Sequence, residues 1–202
     1  MSEPPVDATQ PPESLVSGHD HVTLIGSNEA DTVAFYRDVF GLSLVLRQPN
    51  LDRPSVTHLF FDAGDGRLVT FFVDEDRDSS EEAQDPGVGA VHHIAFEIEA
   101  AEIPEIRDRL REAGHGFSEF DRGAFHALYT RDHNGLTVEL AAPVYEIPDD
   151  HRGEVLARAH ALRVEEGASH VEREHVEQAL SGLDLPVVET GAPRAASGTG
   201  GL

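Results

Sequence analysis

Residues 93–98 have the sequence HIAFEI, and residues 21–26 have the sequence HVTLIG. Both stretches alternate between apolar residues and polar or small ones, a period typical of a β-strand with one buried face. A helical pattern follows each stretch, over residues 29–40 in the first case and 103–113 in the second. The same order of elements opens both halves of the chain, so the sequence predicts two copies of one module.

Three further strand-like runs complete each half. The first half has SLVLRQ, VTHLFFD and RLVTFFV, and the second has GFSEF, AFHALYTR and LTVELAA. A hairpin signal precedes the last strand in both, Asp65-Gly66 in one half and Asn134-Gly135 in the other. The pattern predicts an α+β fold of two βαβββ modules, and aligning Gly66 with Gly135 sets Thr70 opposite Glu139.

The rest of the chain divides by composition. The ends are rich in Pro, Gly and polar residues, the stretch between the modules is acidic, and apolar residues recur at helical spacing after the second module. We predict a disordered tail (1–17), module 1 (18–73), an acidic linker (74–90), module 2 (91–143), a C-terminal helical extension (144–185) and a flexible tail (186–202).

The charge balance is strongly acidic. Asp and Glu number 38 against 15 basic residues, all of them Arg, which gives a formal net charge of −23. Such a surface repels nucleic acid and anionic membranes, so neither is expected as a partner. The pattern resembles proteins of halophilic cells, although an acidic protein from a GC-rich genome would also fit. The chain has no Cys and no apolar run long enough to span a bilayer, and its N-terminus lacks secretory features, so a cytoplasmic protein is expected.

Three candidate metal ligands emerge from strand alternation. His21, His93 and Glu139 each lie on the face opposite the apolar residues of their strands, and two of them start equivalent strands. Two imidazoles and one carboxylate suit a divalent metal and leave positions open for substrate and oxygen, as in non-heme Fe(II) oxygenases. The fourth equivalent position holds Thr70, which is a poor ligand.

The segments HDHVT, VHHIAF and DRGAFHALYTRDHNGLTVELA carry a family resemblance. They resemble the vicinal-oxygen-chelate superfamily of glyoxalase I, extradiol dioxygenases and bleomycin-resistance proteins, and in particular its hydroquinone- and catechol-cleaving dioxygenases. The resemblance implies that the paired modules form a cup around one divalent metal, held by His21, His93 and Glu139. Fe(II) is the expected metal, with Mn, Zn or Ni as alternatives.

The resemblance also implies a reaction and roles for further residues. It implies ring cleavage of a small aromatic diol by O₂, in a homodimer. Tyr129, Arg122 and a neighbouring His92 would serve catalysis, by hydrogen bonding, charge stabilisation and proton transfer. The residues expected to line the substrate site are Thr23, Thr70, His58 and His126.

Alternative interpretations remain open at this point. A glyoxalase I-like lyase or isomerase would need a fourth ligand where Thr70 stands, and a metal-free binding protein of the bleomycin-resistance type would lack the ligand set. Tyr129 could be an ordinary strand residue, and Arg122 could simply pair with Asp121 or Glu119. Strict alternation would turn His92 away from His93. The chain departs from the dioxygenases in having Asp20 where they often have His, and two modules where many have four.

Overall fold

A computed structural model describes residues 15–80, 82, 84 and 87–193 of the chain. Most of the predicted N-terminal tail, part of the acidic linker and residues 194–202 of the predicted C-terminal tail lie outside the described residues. The predicted α+β fold is confirmed: two four-stranded sheets carry helices on one face, and a helical part follows them.

The first module forms one sheet with the strand order β1-β4-β3-β2. Strand β1 runs parallel to β4, and the other neighbours are antiparallel. Its elements are β1 (His21–Gly26), α1 (Glu29–Val33), a π-helix (Ala34–Val39), β2 (Ser43–Pro49), β3 (Thr57–Asp62) and β4 (Leu68–Val73).

The second module repeats this topology with the order β5-β8-β7-β6. The glycines of the two predicted hairpin signals both have positive φ, +79° at Gly66 and +75° at Gly135. Its elements are β5 (His93–Glu97), a 3-10 turn (Ala100–Glu102), α2 (Ile103–Glu112), β6 (Phe117–Asp121), β7 (Phe125–Arg131) and β8 (Thr137–Pro143).

The first helix differs from the single α-helix predicted over residues 29–40. Asn28 caps its start, but from Ala34 the helix widens to π geometry, and the Phe40 amide donates to the Phe35 carbonyl five residues back, at 3.4 Å. The wider turn lets Phe35 and Tyr36 both become buried under the first sheet. Hydrophobic periodicity predicts a helix here but does not distinguish its hydrogen-bonding pattern.

The helix-covered faces of the two sheets share a hydrophobic core. Phe61 and Phe71 of the first module belong to the same buried cluster as Leu136 and Val138 of the second. A second cluster places α2 over Leu128 and other residues of the second sheet. The modules therefore pack through their apolar faces, which leaves the opposite faces of the strands to the polar residues.

The C-terminal extension contains helices α3 (Arg152–Glu166) and α4 (Arg173–Gly182). Their buried side chains form a cluster that continues into Ala142 and Val144 at the end of β8. Residues 186–193 run back along this region, where the Thr190 amide donates to the Val144 carbonyl at 3.1 Å. Among the described residues, no helix combines the length and apolar character needed to cross a membrane.

Candidate active site

Two of the three predicted metal ligands meet on the open face of the second sheet. Glu139 of β8 pairs in register with Ala95 of β5, and His93 starts β5 two residues earlier on the same face. The His93 Nε2 atom lies 2.9 Å from the Glu139 Oε2 atom. Glu139 is almost fully buried, whereas the His93 side chain is 36% exposed, so the carboxylate lies at the floor and the imidazole at the rim.

Tyr129 engages the other oxygen of the same carboxylate. It lies directly across from Glu139 in the β7–β8 ladder, and its hydroxyl donates to Glu139 Oε1 at 2.8 Å. Burial, and then the hydrogen bond to Glu139, raise the pKa of Tyr129 above its usual value near 10.0. Tyr129 therefore keeps its phenolic proton at neutral pH and acts as a hydrogen-bond donor to the site.

Arg122 reaches the site from the turn between β6 and β7. Its guanidinium lies 4.6 Å from the centre of the Phe120 ring and 5.3 Å from that of Tyr129. The two carboxylates that shortly precede it in sequence are engaged elsewhere: Glu119 pairs with Arg107, and Asp121 pairs with Arg173. Within the described part of the chain Arg122 has no carboxylate partner, so its charge is available beside Tyr129.

His92 also joins this group. It precedes the first residue of β5, so strand alternation does not fix its direction, and its Nδ1 lies 2.8 Å from the Nδ1 of His93. One of these two nitrogens must carry the shared proton. His92 thus orients the His93 ring through its Nδ1 atom, as the partner of a metal ligand does, and leaves the Nε2 atom facing the Glu139 carboxylate.

His21 lies on the first sheet and is not part of this cluster. Its Nδ1 lies 2.5 Å from Asp20 Oδ1, and its side chain is 46% exposed. Thr23 and Thr70 are cross-strand neighbours on the same face, and the Thr70 hydroxyl donates to that of Thr23 at 2.8 Å. Thr70 is fully buried, and its hydroxyl is engaged by this bond.

The last two predicted site residues, His58 and His126, differ in whether they lie on the open face or on the helix-covered face of their sheet. His58 shares the open face of the first sheet, between the rings of Phe60 and Phe72, and burial followed by the nearby His21 lowers its pKa. His126 instead lies on the helix-covered face of the second sheet, where it is 1% exposed and bonded to Glu119 at 2.7 Å. The structure does not bring His126 to the Tyr129 cluster.

Sequence reasoning did not assign two contacts of the site. Phe120 stacks under Arg122, and Asp20 holds His21. The first follows the alternation of β6, in which Phe120 shares a face with Ser118 rather than with Glu119. The second has its signal in the sequence itself, because a carboxylate next to a histidine is a common orienting partner.

The donor set of the second sheet fits two ligands of a divalent metal. A buried carboxylate and an oriented imidazole within 3 Å offer one oxygen and one nitrogen donor. In residues 15–80 and 87–193, no three His, Asp or Glu side chains come close enough together to hold one metal ion. One chain therefore presents His93 and Glu139 on one sheet and His21 on the other.

The sequence profile of the Glyoxalase/Bleomycin resistance protein/Dioxygenase superfamily matches residues 18–140. This match spans both modules, and the two-module fold agrees with it. The chain belongs to this superfamily.

Two curated relatives come from Bacillus subtilis (strain 168) and are named ring-cleaving dioxygenases. MhqE is 28% identical over 100 residues, which cover 48% of this chain and 32% of MhqE. MhqA is 27% identical over 148 residues, which cover 67% of this chain and 46% of MhqA. The chain thus spans less than half the length of either relative.

Solved structures share the fold at low identity. A glyoxylase/bleomycin resistance protein/dioxygenase domain from Frankia sp. EAN1pec superposes with a TM-score of 0.55 at 16% identity, covering 63% of this chain and 98% of that domain. The fosfomycin resistance protein FosX from Listeria monocytogenes gives 0.50 at 23% identity, covering 64% and 95%. A variant of that FosX protein was solved in complex with Mn(II).

Proposed function

We propose that this chain is a ring-cleaving, extradiol-type dioxygenase that uses Fe(II) and O₂ to open a catechol or hydroquinone. The observation that carries the proposal is the cluster of His93, Glu139, Tyr129 and Arg122 on one open sheet face. The names of the two curated relatives agree with this chemistry.

The metal would be held by His93 and Glu139, with His21 as the third ligand. A bound Fe(II) supplies open coordination positions at which a diol and O₂ can react with each other. His92 would keep the His93 ring oriented toward it. Thr70, buried and bonded to Thr23, leaves no fourth protein ligand, and this favours the dioxygenase over a glyoxalase I-like lyase.

Tyr129 and Arg122 would act on the substrate. The single hydroxyl proton of Tyr129 now goes to Glu139, and it would turn to a substrate hydroxyl, or to the oxygen that develops negative charge during ring opening, once that carboxylate binds the metal. The Arg122 guanidinium, stacked beside it, stabilises the same negative charge. His92 lies beside His93 and would pass a proton to or from the substrate. His58 and Thr23 would line the wall that the first sheet contributes.

We further propose that a complete site forms between two copies of the chain. Strand β1 starts with His21 and strand β5 starts with His93, and each is an edge strand of its sheet. The helix-covered faces already pack together within one chain, so the open faces are left for a second copy. The net charge of −23 disfavours nucleic acid and anionic membranes as partners.

Oxygen uptake tests the proposal. The protein is reconstituted with Fe(II) under anaerobic conditions in high salt and offered catechols and hydroquinones, and uptake is recorded together with the ring-opened chromophore. Uptake should vanish in His93→Ala and persist in His151→Ala, which removes a partly exposed histidine before α3. Folded, iron-loaded protein that consumes no oxygen across the panel would reject the proposal and favour lyase or isomerase chemistry.

A further inference from the structure

The turn that carries Arg122 is pressed against the C-terminal extension. Gly123 has a φ of +79°, and a Cβ atom at this position would lie only 2.0 Å from the carbonyl oxygen of Val171, in the segment before α4. A glycine is therefore required on two grounds, its backbone conformation and the closeness of the neighbouring backbone. The turn and the extension are in direct contact at the residue next to Arg122.

An ion pair reinforces this contact on the other side of Arg122. Arg173, the first residue of α4, lies 3.1 Å from Asp121, and its side chain is only 11% exposed. The same guanidinium donates to the Pro193 carbonyl at 2.8 Å. Asp121 in turn accepts from the Gly123 amide at 2.9 Å. Both neighbours of Arg122 in sequence are thus held by residues of the extension.

The extension is itself firmly attached to the second sheet. Val155, Ala159, Val176 and Leu180 are fully buried, in the same cluster as Val144 after β8. The Val144 amide donates to the Ala124 carbonyl at 3.1 Å, one residue beyond the Arg122–Gly123 turn. The Arg122 amide also donates to the Phe125 carbonyl within the β6–β7 hairpin, at 2.9 Å, so the extension supports a turn that the hairpin itself forms.

We propose that the segment Val171–Arg173 is a positioning element that fixes Arg122 over the ring of Tyr129. Arg122 is itself exposed, and a free arginine side chain loses rotamer entropy when it is ordered. Holding the backbone on both sides of Arg122 limits where its guanidinium can reach. A cavity of about 580 Å³ lies between this turn and the segment that precedes and begins α4. The functional consequence rests on the proposed dioxygenase activity, but the positioning itself does not.

Nuclear magnetic resonance of the Arg122 side chain tests the positioning without metal or substrate. The rings of Phe120 and Tyr129 should shift its Nε–H and Cδ–H signals upfield, and Arg122→Met identifies these signals by their loss. Arg173→Met and Gly123→Ala should move the signals toward the values of a free arginine. Arg158→Met, on the exposed side of α3, and Gly114→Ala, a positive-φ glycine with nothing near its Cβ position, should leave them unchanged.

The outcome that overturns the positioning is a folded Arg173→Met protein with unchanged Arg122 signals. Arg173→Lys keeps the charge toward Asp121 and should restore part of the shift. If Gly123→Ala fails to fold, the Arg173 variants decide the question alone.

A double-mutant cycle tests the link to catalysis. Arg173→Met should lower kcat/KM about tenfold in the wild-type background and cause no further loss in Arg122→Met. An equal loss in both backgrounds would show that Arg173 does not act through Arg122. A wild-type protein without ring-cleaving activity would reject the proposed function, while the resonance experiment would still decide the positioning.

Discussion

At the scale of single residues, the two modules differ at equivalent positions. The strand registers place Thr70 where the second module has Glu139, and Phe60 where it has Tyr129. One duplicated framework thus gives a threonine and a phenylalanine in the first sheet, at the places where the second sheet has a buried carboxylate and its hydrogen-bond donor. The chemistry of the candidate site is concentrated in these substitutions rather than in the fold.

Tyr129→Phe tests the donor role directly. The variant removes the hydroxyl that lies 2.8 Å from Glu139, so we expect a loss of about 1 kcal/mol of stability. We expect kcat to fall about a hundredfold because the reacting oxygen loses its proton donor, with metal content unchanged. Tyr145→Phe is the matched control, since its hydroxyl contacts Glu177 in the extension. Equal activity of the two variants would exclude a catalytic role for Tyr129.

His133 should make the stability of the protein depend on pH. Burial lowers the pKa of His133 below its usual value of 6.5, and it packs between Thr32 and Asn134 at the contact between the modules. The unfolded chain therefore takes up a proton first as the pH falls. The contribution of His133 to the free energy of unfolding should be fully present above pH 6.5. Below that pH it should decrease by at most about 1.4 kcal/mol per pH unit, until the pH has passed the lowered pKa of the folded state.

The measurement is urea unfolding between pH 7.5 and 5.5. His133→Asn should lose this part of the slope, even if it is less stable throughout. If the free energy of unfolding depends on pH in the same way for the variant and the wild type, His133 has the same pKa in the folded and the unfolded chain, and the prediction is wrong. His58, whose pKa is also lowered, contributes to both curves and cancels in the comparison.

At the scale of elements, the sequence predicted the strands and, for most of the site residues, the face of the sheet on which they lie. Period-2 alternation assigned His93 and Glu139 to one face of the sheet, and the structure places them there. The same rule would have separated His126 from Tyr129, which lies three residues further along β7. Applied to His92, it was wrong: it turned this residue away from His93, whereas His92 lies just outside β5, where strand geometry does not constrain it, and contacts His93.

The separation of His21 from His93 had no signal in the sequence. Alternation fixes which face of its own sheet a residue occupies, but the arrangement of one sheet relative to the other depends on long-range packing. Here that packing is decided by large side chains such as Phe35 and Tyr36 under the first sheet. The contact between the Arg122 turn and Val171 is equally long-range, and strand alternation does not predict it.

Glu119 connects three elements on the helix-covered side of the second sheet. It accepts two hydrogen bonds from Arg107 of α2, at 2.7 and 2.6 Å, and lies 2.7 Å from His126 of β7. We expect Glu119→Gln to cost about 2 kcal/mol in urea unfolding, because the partly buried network loses the negative charge and one of the two oxygens that accept from Arg107. Activity per folded molecule should be unchanged, since the network faces away from Tyr129.

Glu105→Gln is the control for this experiment. It breaks the more exposed pair with Arg109 on the same helix and should cost less than about 0.5 kcal/mol. A similar cost for the two variants would mean that the Glu119 network adds nothing beyond a surface ion pair.

At the scale of the whole molecule, each chain carries its predicted ligands in two separate places. His93 of the edge strand β5 and Glu139 of the neighbouring β8 form one part, and His21 of the edge strand β1 forms the other, all on faces that point away from the shared core. If a second copy completes the site, His21 of each copy serves the His93–Glu139 pair of the other. The ligands of one site would then be divided between two chains, which makes complementation between variants possible.

Differently tagged chains test this arrangement through heterodimers purified by both tags. Partners carrying His21→Ala and Glu139→Ala should form one intact site per dimer, with about half of the wild-type metal content and oxygen uptake, although each variant alone is inactive. A dimer of wild-type chain with the double variant His21→Ala/Glu139→Ala should be inactive, because each shared site then lacks one ligand. The reverse result, with the second dimer half active and the first inactive, would place all three ligands within one chain and require the two sheets to approach each other when the metal binds.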